Sequence, residues 1–93
     1  MSGHVFHPEH SELHGITVVI ETRGPRTFVG RFDREDERGI HLLDVGVHDE
    51  RGASLSKMDY LERTSKFGVR TDHKHLVVPS EEIAQISRLA DLA

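Results

Sequence analysis

The sequence predicts a mainly β fold in which a short N-terminal helix leads into a run of strands. Two observations carry this. Segments of alternating, β-branched residues recur along the chain, and clusters of Gly, Pro, Asp and Arg stand between them. Ninety-three residues suffice for one core and are too few for two, so a single domain over residues 8–93 is expected.

Residues 1–7 show no periodicity and are expected to form a flexible arm. Pro8 suits a first helical turn, Glu9 and Glu12 suit its dipole, and Gly15 stands where a helix stops, which predicts a short helix over Pro8 to His14. From Ile16 to Glu21 the residues alternate, with Ile16, Val18 and Ile20 on one face and Thr17, Val19 and Glu21 on the other: a strand. Arg23 to Arg26, with Gly24 and Pro25 between them, supplies a turn. Thr27 to Asp33 is the second strand, and Gly30 inside it marks a bend or a close backbone approach. A short charged connection ends at Gly39, and Gly39 to His48 returns as a third apolar strand, completing a meander.

Residues 48–72 are a variable excursion. Asp49 to Lys57 is polar and turn-rich, and Met58, Tyr60, Phe67 and Val69 lie in a weakly patterned stretch that suits either a long frayed strand or a structured excursion. Leu76, Val77 and Val78 form a short apolar strand ending at Pro79. Beyond it, Ser80 at an N-cap position and Ile83, Ile86, Leu89 and Ala90 at helical spacing favour a helix on local rules alone.

Composition narrows the function. Hydrophobic residues are 35 % of the chain and charged ones 30 %, so partner subunits are expected to help complete the core. The net charge of -4 gives no overall basic field, and neither DNA nor a membrane is expected as a partner. No cysteine is present, which excludes disulfide scaffolds and thiol catalysis. No apolar run approaches the roughly 20 residues of a membrane span, and the N-terminus lacks signal-peptide character, so a cytoplasmic location is expected. Paired-carboxylate spacing, a nucleophile elbow and a phosphate-binding glycine loop are all missing, and the expectation is a binding protein without cofactor, not an enzyme.

In their order and spacing, Gly15, Ile16, Val18, Ile20, Gly24, Gly30, Phe32, Asp36, Ile40, Leu42 and Asp44 resemble the first motif of the Sm and Sm-like (LSm) family. Leu76, Val77 and Val78, two turn residues, then Ile83 and Ile86 resemble the second, so the likeness spans residues 8 to 88. The resemblance implies a strongly bent, five-stranded small barrel with an N-terminal helix, whose subunits pair edge to edge into homo-oligomeric rings. It also implies that Ile83 to Arg88 is a strand, against the local helical reading, and that Leu76, Val77, Val78, Ile83 and Ile86 lie at the oligomer interface.

RNA-binding members hold a base between a loop residue of the first motif and an arginine of the second, with an aspartate and an asparagine reading the base edge. Asp36 matches the aspartate and Arg38 falls near the stacking position, while Gly39 and Ile40 stand where methionine and asparagine usually follow. Pro79 and Ser80, followed by Glu81 and Glu82, replace the usual Arg-Gly. The implied ligand is single-stranded RNA, bound weakly through Arg34, Asp36, Arg38 and Gly39, with Arg23 and Arg26 adding charge around a ring. The same departures suit a second reading, a structural or protein-interaction barrel without RNA.

Eight histidines support a third. His10 and His14 stand four apart on the expected helix, with His7 near them, and His73 and His75 share one face of an extended segment, spacings at which imidazoles clasp zinc, nickel or copper.

Overall fold

The computed structural model describes residues 8–92, so the expected arm at residues 1–7 and the His7 ligand lie outside the described residues. A 3-10 helix at Pro8–Leu13 precedes strands β1 (Thr17–Thr22), β2 (Arg26–Asp36) and β3 (Gly39–Asp49). Helix α1 (Lys57–Phe67), strand β4 (His73–Val78), a 3-10 turn at Ser80–Glu82, strand β5 (Ile83–Arg88) and helix α2 (Leu89–Leu92) follow. The five strands make one antiparallel sheet in the order β4-β3-β2-β1-β5.

Each of the two long strands, β2 and β3, has eleven residues, and the pair bends sharply. Its register shifts between Val29 and Arg31 and again between Phe32 and Arg34. At the first shift Gly30 lies so close to β3 that a Cβ there would stand 3.1 Å from both the Leu43 carbonyl oxygen and a Val45 methyl. Opposite, Asp44 adopts the left-handed region at φ 51, and its carboxylate meets Arg31 at 2.7 Å across the bend. The mid-strand glycine is therefore the close approach that the sequence signals.

Bending wraps the strands around a core of Val18, Ile20, Phe28, Phe32, Ile40, Leu42, Val45 and Val78, with Leu13, Ile16, Val47, Leu76, Ile83 and Ile86 packed against it. The opposite face is also covered. Val19 and Val29 meet Leu61 of α1 and Leu89 of α2, with Tyr60 and Val69 beside them. This explains why β1 is apolar on three consecutive residues instead of alternating strictly.

The excursion thus contains a helix, and its weakly patterned stretch is not a frayed strand. Ser56 caps the helix by accepting a bond from the Asp59 N–H at 3.1 Å, and Gly68, at φ 89, ends it by donating to the Thr64 carbonyl at 2.9 Å. Only Leu61 and Thr64 are buried along it, while Met58 and Phe67 are exposed, so the apolar period is obscured. At the N-terminus the expected helix is a 3-10 helix that stops at Leu13.

Near the C-terminus the local helical reading gives way to a single 3-10 turn and β5, as the resemblance implied. Ile86 pairs with Ile20 and Gln85 with Glu21, but Thr22 pairs with Ile83, leaving Ala84 as an extra residue. This bulge restores Ile83 and Ile86 to the same side, so a three-residue apolar spacing is met by a strand.

Gly39 opens β3 at φ 135, beneath the end of β4. A Cβ there would overlap the Val78 carbonyl oxygen and sit 2.9 Å from the Pro79 Cα. Both obstacles are backbone, so Gly39→Ala is expected to lower stability by about 2–4 kcal/mol in urea denaturation, against less than about 1 kcal/mol for alanine at the open Gly52.

Candidate functional site

The β2–β3 turn and the β4–β5 connection meet where Gly39 lies beneath Val78 and Pro79. Asp36, Arg38, Gly39, Pro79 and Ser80, far apart in sequence, therefore border one region. Asp36 organises it. Its Oδ1 accepts the Arg38 N–H at 2.9 Å, closing the turn, and its Oδ2 accepts a bond from His41 Nε2 at 2.8 Å. Arg34 Nε is 3.7 Å from the same oxygen, and Arg34 and Arg38 are otherwise exposed. Partial burial works to raise the Asp36 carboxyl, but the Arg38 N–H, the bond from His41 and the charge of Arg34 together hold it below its ordinary value.

His41, on β3, is 2 % exposed. Its Nδ1 lies 3.0 Å from Nε2 of His75, which is exposed on β4. A carboxylate only accepts, so His41 Nε2 carries the proton toward Asp36; with His41 neutral, its Nδ1 is a lone pair and His75 Nε2–H is the donor that fills it. The two ring centres are 5.2 Å apart, close to the upper limit set by the nitrogen separation plus one ring radius on each side, with 27° between the ring planes. The imidazoles meet end-on, in the geometry of a shared hydrogen bond. Sequence reasoning named Asp36 and His75 for different roles and overlooked His41, whose place between apolar Ile40 and Leu42 was the available signal.

The remaining histidines do not converge. A 3-10 helix has about three residues per turn, so a four-residue spacing no longer puts His10 and His14 on one face, and His14 lies past its end. His10 Nδ1 meets Glu35 Oε1 at 2.9 Å, and His14 Nδ1 donates to the Asp33 carbonyl at 2.7 Å. His73 is exposed beside Val45 on β3. Among the described residues no three His, Asp or Glu side chains are grouped to hold a metal ion.

Of the residues assigned to an interface, Val78 is 1 % exposed, and Leu76, Ile83 and Ile86 pack partly on the core. What β4 and β5 leave free is backbone: each ends the sheet and pairs with one neighbour only. Elsewhere, Met58, Leu61 and Leu92 line a concavity of about 460 Å³ between α1 and α2, rimmed by Asp59, Glu62, Ser65 and Lys66. No helix among the described residues is long and apolar enough to cross a membrane.

No protein-family model matches the chain, and no curated protein matches it in sequence. Solved structures do. An Sm protein of Pyrococcus abyssii in complex with a uridine heptamer aligns over 88 % of this chain and 97 % of its own, at a TM-score of 0.59 and 15 % identity. A chain of the NatC complex bound to Gag peptide and CoA aligns over 88 % of this chain and 93 % of its own, at 0.58 and 18 %. A chain of the NatC complex bound to CoA covers 89 % and 92 %, at 0.57 and 19 %. The fold is Sm-like.

Because the Asp36 carboxyl is lowered in the folded state, the unfolded chain binds this proton first as the solution is acidified. Its contribution is present above the ordinary carboxylate value of about 4 and is lost as pH falls through the lowered value. Urea denaturation from neutral pH down through the carboxylate range should show Asp36→Asn less stable than the parent at neutral pH, with the gap closing in acid.

Proposed function

We propose that this Sm-like chain assembles edge to edge into a homo-oligomeric ring that serves as a cytoplasmic binding scaffold, with single-stranded RNA as a weakly held ligand. The observation that carries the reading is the pair of free edges. β4 and β5 close the two ends of one bent sheet, and an edge strand left with unpaired N–H and C=O groups is a template for another chain. A head-to-tail joint of this kind repeats until a rotation closes it. The likeness to an Sm protein solved with a uridine heptamer supports RNA as the ligand class.

The site's chemistry argues for weak, charge-driven binding. Arg34 and Arg38 offer exposed guanidinium groups, but Asp36, Glu37, Glu81 and Glu82 stand along the same turns. Gly39 has no room for a side chain, and Pro79 and Ser80 supply neither a cation nor an aromatic ring to stack on a base. No catalytic step belongs to this proposal. A second reading, a protein-interaction barrel, is favoured by the exposed Met58, Phe67 and Leu92 on the two helices and by the likeness to chains of a protein complex.

Light scattering at micromolar concentration should give a symmetric multiple of the 10.5 kDa chain; a monodisperse monomer would refute the ring. In fluorescence titrations, alanine at both Arg34 and Arg38 should weaken oligo-U and oligo-A binding alike and flatten the salt dependence, by roughly 0.7 in slope for each phosphate no longer neutralised. Pro79→Arg combined with Ser80→Gly should tighten binding by about fivefold to a hundredfold, since a base stack is worth about 1–3 kcal/mol. Tight, selective oligo-U binding that survives the double alanine change would place the ligand elsewhere.

A further inference from the structure

The Asp36, His41 and His75 chain has a property that a charged turn lacks: it can gain a proton without losing a hydrogen bond. With both imidazoles neutral, Asp36 accepts from His41 Nε2–H and His41 Nδ1 accepts from His75 Nε2–H. The remaining imidazole lone pair is therefore on His75 Nδ1, and His75 is exposed. One proton from solvent adds there. Both bonds survive, His75 becomes an imidazolium with two N–H groups, and the chain's formal charge goes from -1 to zero. A further proton would have to break the His41–His75 bond or neutralise Asp36.

The groups around His75 leave this position as the one that changes. On β3 it faces His41, and Asp44, one residue past its partner Leu43, is engaged by Arg31 at 2.7 Å. On β2, Asp36 and Arg34 reach it only through His41. On β4 itself, His73 lies two residues away on the same face and Lys74 between them. On the second turn Pro79 and Ser80 carry no charge, and the cation beside them, Arg23, is held with its Nε donating to the Glu81 carbonyl at 3.2 Å.

We propose that His75 is a proton-gated anion contact, positioned by His41 and Asp36, that takes a phosphate of single-stranded RNA when protonated and releases it when neutral. This rests on the reading of the chain as an RNA-binding scaffold. Neutral His75 presents a lone pair, which a phosphate oxygen repels; the imidazolium presents a charge-assisted donor. RNA affinity therefore rises as pH falls through the imidazole range.

The test is anisotropy titration of labelled oligo-U with the full chain at about pH 5.5 and about pH 8, at fixed ionic strength and again at two salt concentrations. The parent should bind about tenfold tighter at the lower pH, with a salt slope steeper by about 0.7, the mark of one more phosphate neutralised. His75→Gln should show neither the gain nor the change of slope. Asp36→Asn, which unlocks the His41 tautomer, should show a smaller gain. Nitrogen chemical shifts of the RNA-free chain should show the new proton on His75 Nδ1 with Nε2–H retained. If the parent and His75→Gln share one pH dependence, or His75 Nε2 is lone-paired at the higher pH, the gate is wrong while RNA binding stands. If the parent binds no RNA at either pH, the functional reading itself falls and the gate with it.

Discussion

The bend in the β2–β3 pair is the constraint on which the rest of the molecule depends. A flat ribbon of two eleven-residue strands would keep its ends far apart and bury one shallow face. The register shifts at Val29/Arg31 and Phe32/Arg34, the close seat of Gly30 against Leu43 and Val45, and the left-handed Asp44 fold that ribbon over itself. Phe28 and Val47 on one arm then share a core with Phe32 and Leu42 on the other. The same curvature carries the two edge strands around to opposite ends of the sheet and seats the β2–β3 turn beneath the β4–β5 connection. The placement of the free edges and the geometry of the candidate site both follow from one backbone deformation.

Covering the second face is the other requirement, and it falls to the excursion. α1 docks Leu61 and the Tyr60 ring over Val19 and Val29, and Lys57 at its first turn reaches Glu21 at 2.5 Å. The fit is close: a Cβ on Gly46 would stand 2.5 Å from the Tyr60 hydroxyl. A chain with so polar a composition therefore still buries both sides of its central strands, by lending one short helix from the loop and another from its C-terminal end. Met58, Phe67 and Leu92 are left over as the exposed large apolar side chains among the described residues.

What could be read from the sequence follows the strength of the local signal. The meander was legible because Val18, Ile20, Phe28 and Phe32 alternate and because glycine and proline mark the turns. α1 was obscured since two of its largest apolar residues face solvent, although Ser56, Asp59 and Gly68 already marked its ends. β5 was misdirected by the bulge at Ala84, which gives a strand the three-residue spacing of a helix; the order of motifs, not the local pattern, identified it. At the candidate site Asp36 and Arg38 were legible from turn chemistry. His41 was not, because its role arises only when β4 is laid beside β3 and brings His75 to it.

The pairing of β1 with β5 sets the order in which the chain can fold. β1, β2 and β3 meet through short turns, whereas β1 meets β5 only by joining Val18 to Arg88, across almost the whole described chain. Contacts of such long sequence separation form late, after the loop-closure entropy has been met. Until then the outer edge of β1 is bare, with Val18, Val19 and Ile20 in a row and no strand beside them. Pairing with β5 is therefore what covers that edge, and the β5 of another copy competes for it only where the chain's concentration approaches the effective concentration of its own tethered strand.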